Sequence, residues 1–234
     1  VKFEIPLKSG RLIRRYKRFL ADVEADSGEI LTVHCPNSGS MMGLLDRGNP
    51  VYFWESPNVK RRYRHTWELV AVNGILVGIN TNRPNRLVEE GVRAGVVKEL
   101  EGYRFVRREV VWGAHSRLDL LFERNGRLCY VEVKNVTLAE NGVAFFPDAV
   151  TSRGAKHLLD LQEIVRKGHR GAVFFVVQRS DASVFRPAWH IDPHFSATLV
   201  EVANSGIDVI AYQADVRLDG IWLRNSLPVE LDRQ

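Results

Sequence analysis

Cysteine is scarce in this chain: Cys35 and Cys129 are the only two in 234 residues. Neither belongs to a CxxC or CxxH pair, which disfavours a disulfide framework and a zinc finger. Long apolar runs are missing too, and nothing approaches the roughly 18 consecutive apolar residues of a membrane span. The opening segment VKFEIPLKSGRLIRRYKRF has no apolar signal-peptide core before its basic cluster. The expectation is therefore a cytoplasmic protein with no membrane partner. Internal repeats and low-complexity tracts are also absent. What remains, 45% hydrophobic and 26% charged residues, is the balance of an ordinary folded protein rather than a disordered one. A chain of this length can form one large or two modest domains, and two is the working expectation.

Charge is unevenly placed. Lys and Arg outnumber Asp and Glu by 13 to 8 over residues 1–84 and balance at 20 each over residues 85–234. The whole excess of +5 thus sits in the first third. A basic module joined to a neutral one suggests that the first meets a polyanion while the second does something else. Chance surface composition is the plainer alternative.

The texture of the chain divides at the same place. From residue 11 to 81, β-like runs (LIRRYKRFLADVEA, EILTVHC, PVYFWES, RHTWELVAV, ILVGINT) alternate with turn residues such as Asp26-Ser27-Gly28, Gly48-Asn49-Pro50 and Asn73-Gly74. About five strands in such a stretch indicate a small barrel or sandwich. Beyond TNRPNRL, residues 86–100 carry Leu87, Val88, Val92, Val96, Val97 and Leu100 at helical spacing, although two glycines interrupt them. Strands FVRREVVW, RLDLLFE and LCYVEVKNV follow, then a helix over 149–167 closed by Gly168. GAVFFVVQ, apolar on both faces, reads as a central parallel strand. A helix over 192–205, capped by Asp192-Pro193 and stopped by Gly206, leads to the strand IDVIAY. The order predicts a mixed-sheet α/β domain over 85–234 after an all-β domain over 1–84.

One hairpin concentrates the chemistry. In RLDLLFERNGRLCYVEVKN, a two-residue type I′ turn at Asn125-Gly126 makes Arg124 face Arg127 and Asp119 face Glu132. Alternation then puts Arg117, Asp119, Tyr130, Glu132 and Lys134 on one charged face, with Leu118, Leu120, Cys129, Val131 and Val133 on a core face. Two carboxylates about 5 Å apart repel by about 3 kcal/mol at an effective dielectric near 20, so something must offset them. A divalent cation would, because Mg²⁺ takes one or two carboxylates plus water and phosphate oxygens. A diagonal lattice on a solvated face, Arg117 with Glu132 and Lys134 with Asp119, would also.

The first domain supplies two basic clusters with aromatics among them. RLIRRYKRFL contains Arg14, Arg15, Tyr16, Lys17 and Arg18, and KRRYRHTW contains Lys60, Arg61, Arg62 and Arg64. Cations release counterions from phosphates and aromatic faces stack on bases, as on OB-type barrels. Phe19 and Trp67 are expected in the barrel core.

The arrangement of Asp119, a turn and Glu132-Val133-Lys134 resembles the PD-(D/E)xK nuclease superfamily. The wider wording, LIRRYKRFLADV, TVHCPNSGSM, KRRYRHTWELV, YVEVKNVTLAENGVAFFPDAVTSRGAKHL and SLPVEL, resembles the SfsA family, sugar fermentation stimulation protein A, from about residue 7 to 231. Small departures at TSRG and NSGS leave the acids untouched. The resemblance implies an N-terminal OB-like β-barrel, a C-terminal nuclease-like domain, and binding of single-stranded or duplex DNA with little sequence preference. It further implies Mg²⁺ or Mn²⁺ held by Asp119 and Glu132, with Lys134 orienting the attacking water or stabilising charge that develops on the phosphate. Glu90 is the candidate for an additional helix carboxylate. Arg153 and Lys156 are candidates for guiding phosphates, and His157 on the same helix is read as packed or surface rather than catalytic. Two copies could pair as a homodimer, as many nucleases of this fold do. The function classes left open are a metal-dependent nuclease, a non-enzymatic DNA-binding regulator of sugar metabolism genes using a nuclease-like scaffold, and an RNA-binding module.

Overall fold

In the computed structural model, which describes residues 1–113 and 116–233, the basic third of the chain folds into strands β1 (Lys8–Tyr16), β2 (Leu20–Ala25), β3 (Ile30–His34), β4 (Pro50–Glu55), β5 (His65–Val72) and β6 (Ile75–Gly78). Their order is β3-β2-β1-β4-β5-β6, and β3 returns to pair with β5 at His34 and Thr66. That contact closes the first five strands into a barrel, removing their free edges, and leaves β6 outside the closure. Alternating residues fill the barrel: Leu12, Val23, Val33, Val51, Phe53 and Trp67 are all buried. The run LIRRYKRFLADVEA is two strands rather than one. Its turn residues, Lys17 and Arg18, have φ of +50° and +63° and carry none of the usual turn chemistry. Phe19 corrects a second expectation, for it is 48% exposed, whereas Trp67 is core.

The rest of the chain builds a six-stranded sheet in the order β15-β14-β12-β9-β8-β7. It uses β7 (Arg104–Trp112), β8 (Ser116–Arg124), β9 (Arg127–Val136), β12 (Arg170–Val177), β14 (Asp208–Arg217) and β15 (Gly220–Ser226). A small second sheet comprises β10 (Leu138–Glu140), β11 (Val143–Phe146) and β13 (Val184–Pro187). β12 lies parallel to both β9 and β14. Its Ala172, Phe174 and Val176 face one core and its Val173, Phe175 and Val177 the other, which is why its sequence is apolar without interruption. Helix α1 (Pro84–Arg93) covers the first core with Leu87, Val88 and Val92. Helices α2 (Ser152–Arg166) and α3 (Pro193–Asn204) cover the second. Thr151 caps α2 and Asp192 caps α3, each accepting a backbone N–H. No helix among the described residues is long and apolar enough to cross a membrane.

The helix expected over 86–100 is shorter than its apolar spacing suggested. It ends at Arg93 because Gly95 takes φ of +69°, and Val96 turns back to donate to the Gly91 carbonyl. Val97 and Leu100 still reach the core, through a single 3₁₀ turn at Lys98–Leu100.

Barrel and sheet share packing. Leu69 of β5 belongs to the same buried cluster as Phe3, Leu87, Val131 and Phe174, and Gly78 donates its N–H to the Gln178 carbonyl at 2.9 Å. A Cβ at Gly78 would fall on the Gln178 side chain and lie 3.1 Å from Ile221 Cδ1. Gln178 is fully buried and has nowhere to swing. Gly78→Ala is therefore expected to cost about 1–3 kcal/mol by overpacking. Thermal melting should fall by about 2–4 °C per kcal/mol, and an unchanged melting temperature would show that the junction has slack.

Candidate active site

The β8–β9 hairpin sets the site. Asn125 and Gly126 have φ of +52° and +80°, and the ladder runs from Arg124–Arg127 to Leu120–Val131 in the expected register. There it stops. Asp119 Oδ2 accepts the Val133 N–H at 2.8 Å in place of the next rung, while Glu132 continues in the pairing of β9 with β12. Asp119 and Glu132 thus stand where two strands part, at the floor of a cleft of about 580 Å³.

The charged face is not the solvated one that a diagonal lattice would need. Leu121 and Tyr130 on that face are packed into the second core with α2, and Glu132 is only 3% exposed. The diagonal lattice does not form either. Arg117 pairs with Glu109 at 2.9 Å, and Lys134 Nζ pairs with Glu132 Oε1 at 2.7 Å. Helix α2 brings His157 Nδ1 onto the same Glu132 oxygen. The other oxygen, Oε2, is buried without a hydrogen-bond partner. Asp119 Oδ1 is held by Asn85 Nδ2 of α1 at 3.0 Å.

Electrostatics divides the pair. Burial, then the Glu132 charge, pushes the Asp119 carboxyl above its ordinary value, against the Val133 N–H, Asn85 and Lys134. Burial also pushes Glu132 up, but Lys134 and His157 outweigh it and hold Glu132 below its ordinary value. Negative charge therefore settles on Glu132 first.

Two carboxylates, one with an unsatisfied buried oxygen, form an oxygen donor set that fits a hard divalent cation keeping several water or phosphate ligands. Among the described residues no three His, Cys, Asp or Glu side chains gather into a closed metal cage. Glu90 does not join them: α1 turns it toward Arg86 Nε, at 2.8 Å, and the Val1 nitrogen, at 2.8 Å. Arg153 lines the cleft and its Nε lies 3.4 Å from His157 Nε2. Lys156 is exposed on α2 and is not part of the cleft lining.

The opposite wall comes from the barrel: Asn37, Ser38 and Gly39. Asp148 fixes this loop, its Oδ2 accepting the Met41 N–H at 2.9 Å and its carbonyl accepting the Ser40 hydroxyl at 2.6 Å. Arg15 fixes it from behind, donating to the carbonyls of Asn37, Gly39 and Ser40. Arg15 is thus a brace rather than a free phosphate ligand. Arg14 pairs with Asp22 at 2.8 Å and stacks on Tyr16, whose hydroxyl also meets Asp22. Arg64 pairs with Glu55, and Arg61 lies over Trp54 and donates to Thr66. Lys17, Arg18, Lys60 and Arg62 are exposed.

His157, Asn85 and the 37–39 loop were not singled out from sequence as parts of the site. Only His157 left a trace there, as a histidine one turn after Arg153 on the helix that follows the acidic strands.

Comparison with known proteins agrees with this architecture. Residues 13–79 match the family described as the SfsA N-terminal OB domain, and residues 82–220 match the sugar fermentation stimulation protein RE domain. A sugar fermentation stimulation protein homolog of Geobacter sulfurreducens is 55% identical over 96% of both chains. One from Thioalkalivibrio sulfidiphilus is 51% identical over 100% of this chain and 99% of its own. Among solved structures, SfsA of Pyrococcus furiosus superposes with a TM-score of 0.89 at 27% identity, covering 98% of each chain. With both of its domains matched in order and close relatives aligned along nearly all of its length, the chain belongs to the SfsA family of sugar fermentation stimulation proteins.

Proposed function

We propose that this protein is a divalent-metal-dependent phosphodiesterase that cuts nucleic acid, DNA in the first instance, in the cleft between barrel and sheet. The observation that carries the reading is the buried, partnerless Glu132 Oε2 beside Asp119. Leaving a carboxylate oxygen so placed is costly unless something binds it. The Pyrococcus furiosus relative was captured in complex with Ca²⁺, which supports a hard-cation site in the family.

When bound, Mg²⁺ would supply positive charge that offsets the two acids and the scissile phosphate and activates water at neutral pH. The chain does the rest. Asn85 and the Val133 N–H fix both oxygens of Asp119, and His157 and Lys134 fix one oxygen of Glu132, leaving the other to bind. Lys134, only 12% exposed in its side chain, brings an ammonium into a water-poor site where charge developing on the phosphate gains most from it. Arg117 and Arg153, also lining the cleft, take the flanking phosphates.

The test is incubation of the purified protein with labelled single-stranded, duplex, flapped and junction DNA in Mg²⁺ or Mn²⁺. Cleavage that stops on chelation is expected. Binding with no turnover on any substrate would instead leave a nucleic-acid-binding protein whose nuclease-like fold is scaffold, as a regulator would need.

A further inference from the structure

The cleft gives phosphates a place, but the aromatic ring in its lining, Phe146, packs against Phe175 and Phe195, so a base finds no freely exposed ring surface there. Such a surface lies next to it, on the tip of the β1–β2 hairpin. We propose that Phe19 is a base-stacking residue, so that the strand entering the cleft is unpaired there and lays one base on the Phe19 ring. This deepens the reading above and rests on it for the identity of the polymer.

Three other hairpin turns use Asn-Gly with positive φ at both residues: Asn73-Gly74, Asn125-Gly126 and Asn141-Gly142. The β1–β2 turn places Lys17 and Arg18 in the same left-handed conformation, which long side chains adopt only at a cost. The gain is two exposed cations immediately before a phenyl ring that is 48% exposed. The nearby carboxylate of Asp22 does not neutralise them, since it is taken by Arg14, Tyr16 and Thr32. Cation, cation and aromatic in succession is the chemistry by which barrels hold single strands, phosphates on the cations and a base on the ring. Bases within a duplex are already stacked on each other and cannot reach such a tip.

The tip and the cleft wall are one piece. Arg15 Nη2 donates to the Arg18 carbonyl at 2.6 Å and to the carbonyls of Asn37 and Gly39 at 2.8 and 2.9 Å. The Phe19 carbonyl accepts the Cys35 N–H at 2.8 Å. A base on Phe19 is thereby held at a fixed distance from the wall that faces Asp119 and Glu132.

The experiment titrates full-length protein, without divalent metal so that the strand stays intact, into single-stranded DNA, single-stranded RNA and blunt duplex DNA carrying 2-aminopurine. Wild-type protein should quench the fluorophore on single-stranded DNA, RNA or both. Phe19→Ala should abolish the quench and weaken single-strand binding about 10-fold, with the salt dependence, duplex affinity and melting temperature unchanged. Phe19→Trp should restore binding and Phe19→Leu should not. Equal single-strand affinity for wild type and Phe19→Ala, rescue by leucine as good as by tryptophan, or no quench on either polymer would overturn the proposal. Its fate is separable from that of the nuclease reading: Phe19-dependent quenching without metal-dependent cleavage would sink only the latter, and cleavage indifferent to Phe19 only the former.

Discussion

Glu132→Gln is expected to lower metal-dependent cleavage by on the order of 10³-fold while the protein stays folded and still binds nucleic acid. The glutamine keeps the length and planarity of the side chain, so its remaining oxygen can still accept from Lys134 and contact His157. What it loses is the charge. Asp119 alone, with burial working against its ionisation, is a poor holder of a cation that prefers anionic oxygen. Glu132→Ala is the less informative change, because it leaves the Lys134 ammonium buried without its partner and confounds chemistry with stability. A companion measurement is thermal. A cation at a hundred times its Kd adds about 2.7 kcal/mol to the folded state, and at about 2–4 °C per kcal/mol this raises the wild-type melting temperature by roughly 5–10 °C. Glu132→Gln should lose most of that rise. Cleavage and metal response equal to wild type would remove Glu132 from the site.

The acidic hairpin was legible because its turn is local. Asn125-Gly126 fixes register by backbone conformation alone, and period-two alternation then brings Asp119 and Glu132 together. The apolar run of β12 and the cap at Asp192 were readable for the same reason: each signal lies within a few residues of its effect. The features that escaped are those fixed by contacts between distant segments. Nothing near Glu132 in sequence says that α2 will cover it, so a solvated lattice stayed open beside a cation site, and nothing tied His157 to the acids. The basic clusters were overcounted likewise. Arg15 looks like a phosphate ligand until the fold gives it carbonyls more than 20 residues away. Phe19 misled in the opposite direction, since an aromatic in a β-run is usually core, and only the Lys17-Arg18 turn puts it outside.

Glu68→Ala should be the most destabilising single change at the junction between barrel and sheet, at about 3–5 kcal/mol. Glu68 is fully buried on β5 and answers four donor contacts: Trp54 Nε1 at 2.7 Å, Asn80 Nδ2 at 2.7 Å, and Arg83 through Nη2 at 2.6 Å and Nε at 3.1 Å. Truncation leaves a cavity and strands all of these donors. Arg83 recovers some hydration, its side chain being 23% exposed, which favours the lower half of the range. The buried Asn80 cannot do so. Glu68→Gln, which keeps the shape and part of the bonding, should cost less. The effect should reach the site, because Asn80 and Arg83 lead directly into α1, whose Asn85 holds Asp119. Urea unfolding of wild type and both variants measures the first effect, and the metal-induced rise in melting temperature the second. A Glu68→Ala protein as stable as wild type would mean that the junction repacks around the loss. A large loss of stability with an undiminished metal response would mean that α1 keeps its place without the anchor.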